Sequence, residues 1–172
     1  FVVHPDVLIP RPDTEILVEQ ALQHLPSSGP VVESGIGSGA VLLSVLNEAG
    51  KQGLKLSGEG YDQSPAALAC AKANRSRFGL EQAIRLEAAD LLPESLASGE
   101  RQCELLLANL PYIRTAWLDA LDDSVKQEPM LALDGGADGL DLIRRLIDMA
   151  RPAVKTGGWI LLEHDVDQAE AV

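Results

Sequence analysis

Short apolar runs that end on a glycine, an acid or an asparagine alternate along this chain with segments of helical periodicity, and that alternation most restricts the folds open to it. Val31 and Val32 run into ESGIGSGA, after which Val41, Leu42, Leu43, Val45 and Leu46 mark a helix ending near Gly50. A weakly written strand in LKLSGEGYD finishes at Asp62, and the next helix is framed by Ser64 as N-cap, Pro65 as first helical residue and Gly79 as C-terminal cap. A strand near Ala83 to Leu86 leads to Asp90, and the apolar strand 104–108 ends on Asn109. A helix from about Leu140 to Ala150, a turn at Gly157 and Gly158, and a strand through Trp159 to Leu162 complete the series. Ahead of it, Ile16, Leu17, Val18, Ala21, Leu22 and Leu25 predict a first helix opening at Asp13. Residues 113–135 have mixed polarity and are expected to form an inserted loop or hairpin. This order predicts an α/β domain, a mostly parallel sheet with right-handed crossovers and helices on both faces. Ligands of such sheets bind at the carboxyl ends of the strands, which directs attention to residues 33–39, Asp62, Asp90 and 109–112.

Charge narrows the range of partners. The 172 residues carry 14 basic and 26 acidic side chains, a net charge of -12, and such a field repels phosphate backbones. No direct nucleic-acid contact is expected, and a protein or small-molecule substrate is favoured. Cys70 and Cys103 lack any CxxC or Cys/His spacing and read as buried small residues, so neither a disulfide nor a metal site is expected. No apolar run approaches the roughly 20 residues that span a bilayer, no membrane association is expected, and a cytoplasmic location is the simplest reading. The chain opens on Phe1 and reads as a piece of a longer protein.

Glu33, Gly35, Gly37 and Gly39 form an acid-x-Gly-x-Gly-x-Gly pattern between a strand and a helix, where glycines admit a ligand close to the backbone and the helix start offers free N–H groups. Methyltransferases, dinucleotide enzymes and purely structural turns all use such a loop. Asp62 could accept from ribose hydroxyls and Asp90 from the exocyclic amine of adenine, although either could equally be a turn residue. The tetrapeptide Asn109-Leu110-Pro111-Tyr112 is more telling. An amide nitrogen is a poor nucleophile, so a catalyst must hold its hydrogens and aim it at the methyl donor. The Asn109 side chain and the Leu110 carbonyl supply two acceptors, Pro111 fixes the turn, and Tyr112 offers a flat wall for a planar group. Pro5, Pro10 and Pro12 predict a rigid extended lead-in that places Arg11, Thr14 and Glu15 over the pocket.

VLIPRPDTE (7–15), the glycine loop, NLPYI (109–113), EP (128–129), ALDGGADGLD (132–141) and GGWILLEH (157–164) together resemble the HemK/PrmC family of protein glutamine methyltransferases. The resemblance runs along the whole chain in order. It implies a Rossmann-like class I S-adenosylmethionine-dependent methyltransferase fold, with residues 1–172 forming the catalytic domain, truncated at the C-terminal strands and without the family's N-terminal helical domain. The implied reaction methylates the side-chain amide nitrogen of the glutamine in the Gly-Gly-Gln motif of peptide-chain release factors, which are the implied partners, and yields S-adenosylhomocysteine. The implied site has Asn109, Leu110, Pro111 and Tyr112 at the chemistry. Glu33, Gly35, Gly37, Gly39, Asp62, Asp90 and Asn109 would hold the cofactor, and Arg11, Thr14, Glu15, Asn109, Pro111 and Tyr112 the substrate. Leu110 stands where the family usually has the first proline of Asn-Pro-Pro-Tyr, and Glu33 where it usually has Asp. Three other readings stay open: an adenine amino-methyltransferase, which can also carry Asn-Leu-Pro-Tyr, a dinucleotide-binding enzyme, and a non-catalytic scaffold.

Overall fold

The computed structural model describes residues 1–26 and 29–172. Five strands, β1 (Pro30–Ser34), β2 (Ser57–Asp62), β3 (Ile84–Ala88), β4 (Cys103–Ala108) and β5 (Val154–Leu162), form one sheet in the order β3-β2-β1-β4-β5, with every neighbouring pair parallel. The helices are α1 (Thr14–Gln23), α2 (Ala40–Lys51), α3 (Pro65–Arg77), the short α4 (Glu94–Ala97) and α5 (Asp141–Ala153). Among the described residues no helix is long and apolar enough to cross a membrane.

Alternation along the strands sends successive side chains to opposite faces. Val31, Leu105 and Leu107 join Leu17 and Ala21 of α1, Leu42 and Leu46 of α2, and Leu68 of α3 in one buried cluster. Val32, Leu106 and Ala108 point the other way, onto Leu96 of α4 and Ile143, Leu146 and Ala150 of α5. The sheet is thus covered on both sides, as the alternating pattern requires.

The faintness of β2 in the sequence has a packing cause. A Cβ at Gly60 would lie 2.7 Å from Ile36, and one at Gly58 would lie 3.1 Å from both Leu42 and Leu46. The strand gives up its own side chains so that the start of α2 can sit directly on the sheet. The expected frame of α3 is present, with Ser64 Oγ accepting from the Ala67 N–H and Pro65 in the first turn.

One local expectation is narrowed and another corrected. Residues 113–135 form the loop alternative and no hairpin: they contain three short 3₁₀ segments (Thr115–Ala120, Val125–Gln127 and Met130–Ala132), and Ile113 makes a lone parallel bridge to Asp134. The stretch has neither the two-residue alternation of a strand nor enough apolar surface to lie in the sheet. Gly157 and Gly158 lie inside β5 and do not make a turn ahead of it. Cys103 pairs with Val154 but Leu105 pairs with Trp159, so the register slips there, and Gly157 takes φ +83° within the slip.

Glu33 follows Val31 in parity and so points towards the face covered by α2. It is 2% exposed, and its Oε2 accepts the Leu42 N–H at 2.9 Å near the start of that helix. Burial pushes its carboxyl well above the usual 4.5, outweighing that hydrogen bond, and the nearby Asp62 adds to the rise. A raised acid contributes stability that is fully present below its unfolded value and is lost as pH rises through its folded value. Glu33→Gln keeps a neutral acceptor for Leu42. We therefore expect it to melt with wild type near pH 4 and at higher temperature than wild type as pH rises above the usual carboxylate range. A difference in melting temperature that does not change with pH would contradict this origin.

Candidate active site

Strand order reverses at β1, which has β2 on one side and β4 on the other, and the crevice outside such a reversal is where open α/β sheets bind ligands. Ser34 pairs with Ala108, so the glycine loop after β1 and the tetrapeptide after β4 leave the sheet side by side. A Cβ at Gly35 would lie 2.8 Å from Leu110 Cδ2. The first loop glycine is thus demanded by the tetrapeptide next door, and Leu110, 4% exposed, uses its side chain to anchor the turn. That packing supplies some of the rigidity a proline would give at this position.

A cleft opens over these loops, lined by Gly35, Gly37, Asp62, Asp90, Asn109, Leu110 and Pro111 together with apolar groups including Val7, Leu8, Ala67, Leu91 and Leu142. At Gly37 a Cβ would meet nothing nearer than 4.0 Å, so the loop is open on that side. Asp62 closes the loop from below: its Oδ2 accepts the Gly37 N–H at 3.0 Å and its Oδ1 the Ser64 N–H at 2.8 Å. Each carboxylate oxygen has a second lone pair for a hydroxyl donor. Asp90 lines the cleft but is also held by Arg145 of α5 at 2.7 Å in an exposed ion pair. An acid with lone pairs to spare, an apolar wall and open glycine backbone fit S-adenosylmethionine.

Several expected site residues lie elsewhere. Glu33 is buried beneath α2 and off the cleft wall, because strand parity turns it inward. Gly39 is likewise off the wall and serves packing, since a Cβ there would lie 2.8 Å from Leu43. The Tyr112 ring is not on the cleft wall either. It packs with the α5-side cluster, and its hydroxyl donates to Glu163 Oε1 at 3.2 Å. Burial, reinforced by Glu163, pushes that phenol up to about 12. Glu15 is exposed at the start of α1 and lines no part of the cleft. Thr14, 6% exposed, is buried beside the tetrapeptide, with its Oγ1 accepting from Asn109 Nδ2 at 3.1 Å.

Three contributors carried no legible role in the sequence. Glu128, 8% exposed, accepts the Ile9 N–H at 3.2 Å and pairs with Arg11, which is itself off the cleft wall, strapping the proline-rich lead-in to the 113–135 insertion. A lone acid in a polar stretch gives no sign of burial. Gln168, 3% exposed, donates through Nε2 to the carbonyls of Tyr112 (2.9 Å) and Asp138 (3.2 Å). The third is the glycine segment itself, which lies against the tetrapeptide's backbone: a Cβ at Gly135 would be 2.7 Å from the Pro111 carbonyl oxygen, and one at Gly139 would be 2.2 Å from that of Tyr112.

This close approach is testable. Gly139 takes φ +81° against a backbone oxygen, whereas Gly79 takes φ +67° with open space around it. We expect Gly79→Ala to cost about 1 kcal/mol from backbone strain alone. Gly139→Ala should cost about 3 kcal/mol or more, since strain and a backbone clash combine. Denaturant titration of both variants measures the difference, and equal losses would mean that the 135–139 segment yields without cost.

No family-level sequence model matches the chain. A release factor glutamine methyltransferase of Geobacter sulfurreducens is 41% identical over 173 residues, covering all of this chain and 58% of that protein. One of Clostridium acetobutylicum is 40% identical over 175 residues, covering all of this chain and 60% of that protein. Among solved structures, a precorrin 8W decarboxylase of Methanobacterium thermoautotrophicum superposes with a TM-score of 0.62 at 17% identity, over 99% of this chain and 73% of that one. A ribosomal protein L11 methylase of Lactobacillus delbrueckii subsp. bulgaricus gives 0.60 at 17% identity, over 92% and 64%. An S-adenosylmethionine-dependent methyltransferase of Thiobacillus denitrificans, solved with S-adenosylhomocysteine, gives 0.51 at 18% identity, over 94% and 50%. The fold is the Rossmann-like class I methyltransferase fold. With motifs in order along its whole length, this chain is similar to release factor glutamine methyltransferases and spans about 60% of the length of the curated relatives it matches.

Proposed function

We propose that residues 1–172 are a catalytic core that transfers a methyl group from S-adenosylmethionine to the side-chain amide nitrogen of the glutamine in the Gly-Gly-Gln motif of peptide-chain release factors. The observation that carries this reading is the Asn109 amide, set on the cleft wall at the β1/β4 crevice with its nitrogen already bound to Thr14. Its oxygen is left as the acceptor for a substrate N–H. The names of the curated relatives support the substrate. The net charge of -12 supports a protein over a nucleic acid as the molecule methylated.

Bound S-adenosylmethionine supplies an electrophilic methyl carbon on a sulfonium. The residues of this chain bind and orient. Asp62 would receive the ribose hydroxyls, the Gly35 to Gly37 backbone would hold the methionine portion, and Asp90 with the apolar wall would hold the adenine. Asn109 Oδ1 and the Leu110 carbonyl each accept one hydrogen of the glutamine amide, which turns the nitrogen towards the methyl carbon and stabilises the positive charge that develops on it. In the transfer a new N–C bond would form as the C–S bond broke, and the surplus amide proton would leave to water. Pro111 limits the freedom of the turn.

Mass spectrometry of a Gly-Gly-Gln-containing release factor after incubation with the protein and S-adenosylmethionine tests the reaction. One methyl group on that glutamine is expected, and an unmodified glutamine beside a methylated nucleic acid would overturn the assignment. We expect Asn109→Ala to lower single-turnover methylation by roughly 100-fold or more, while S-adenosylmethionine affinity changes little. Leu110→Pro keeps the carbonyl and should stay within about several-fold of wild type.

A further inference from the structure

A side-chain amide is chemically two-faced: its oxygen only accepts and its nitrogen only donates. If Asn109 turned over, a donor would face the cleft, and no substrate N–H could be held there. Something has to fix which end points out. The atom in position to do so is Thr14 Oγ1, which receives the Asn109 Nδ2 hydrogen at 3.1 Å from 95 residues away in the chain.

Thr14 has no other evident task. It is the first residue of α1, one past the capping position at Asp13, and no side-chain cap bond is made at that helix end. It is buried and off the cleft wall, so it does not meet a bound substrate. Its backbone is held, with its own N–H donating to the Arg11 carbonyl at 3.2 Å and the Glu15 N–H donating to Pro12 at 3.0 Å. Arg11 in turn is tied to the buried Glu128. Threonine's branched Cβ restricts the hydroxyl further.

We propose that Thr14 is a positioning residue that sets the orientation of the Asn109 amide, and that it acts on methyl transfer only through Asn109. The proposal rests on the amide-holding role given to Asn109 above. The proline-rich lead-in then has a defined purpose, which is to deliver one hydroxyl to the back of the amide.

The test is single-turnover methylation of a Gly-Gly-Gln-containing release factor by the full-length protein, with S-adenosylmethionine saturating. The variants are Thr14→Val, Thr14→Ser, Asn109→Ala and the Val/Ala double variant. Thr14→Val should lower the maximal rate by about 10-fold, the scale of one hydrogen bond lost in the transition state. The half-saturating release-factor concentration and the cofactor affinity should stay within about two-fold. Thr14→Ser should recover most of the rate, and Thr14→Val should cost nothing further once Asn109 is alanine. Thr14→Ala serves the same purpose should the valine disturb folding. A normal rate in Thr14→Val, or an equal loss in both Asn109 backgrounds, overturns the proposal while leaving the role of Asn109 intact. A normal rate in Asn109→Ala overturns both.

Discussion

Much of the structure depends on the pairing of β1 with β4. Parallel neighbours separated by more than seventy residues of sequence bring two loops out of the sheet together, because Ser34 and Ala108 lie opposite one another at its edge. The next residues, Gly35 and Asn109, begin the two working loops at once. Position 35 favours glycine, since its φ is +71° and an added Cβ would lie 2.8 Å from Leu110 Cδ2. A change of register by one residue would turn Val31 and Val32 to the wrong faces and also part the two loops. Core and cleft therefore share one constraint.

Around that pair the protein builds a second layer of restraint on the tetrapeptide. Thr14 meets Asn109 from the side of α1, and Gln168 holds the Tyr112 carbonyl from beyond β5. The 135–139 glycine segment presses on the carbonyls of Pro111 and Tyr112, and the Ile113 N–H donates to Leu133. Almost all of these contacts reach the backbone of residues 109–113 from outside the cleft. The side chains they arrange are few. A reaction whose difficulty is alignment needs a rigid frame more than it needs a titrating side chain, and this arrangement suits it.

The order of elements was legible because α/β alternation is written in spacing, and the cleft was legible because such sheets bind ligands where strands end. Side-chain direction was not. Glu33 looked like a ligand contact from its place in the motif, yet strand parity buries it under α2. Tyr112 looked like a wall, yet its ring turns to α5 and its hydroxyl to Glu163. Thr14 was expected at the substrate and lies behind Asn109. Gln168 was silent, and Glu128 was visible only as part of a motif without a role, because a buried polar residue is recognised by its partners and these are contributed by distant segments. The 113–135 insertion follows neither helical nor strand periodicity, so only tertiary contacts give it shape.

In the proposed arrangement the β1/β4 crevice presents a methyl group to a paired acceptor made of the Asn109 side chain and the Leu110 carbonyl. A crystal structure with S-adenosylhomocysteine and a Gly-Gly-Gln peptide measures this most directly. The cofactor sulfur is expected next to the tetrapeptide, with the glutamine nitrogen within about 3.5 Å of both acceptor oxygens and about 4 to 5 Å from the sulfur, as a near-attack arrangement requires. A glutamine held by other groups, or a sulfur placed away from Asn109, would contradict it.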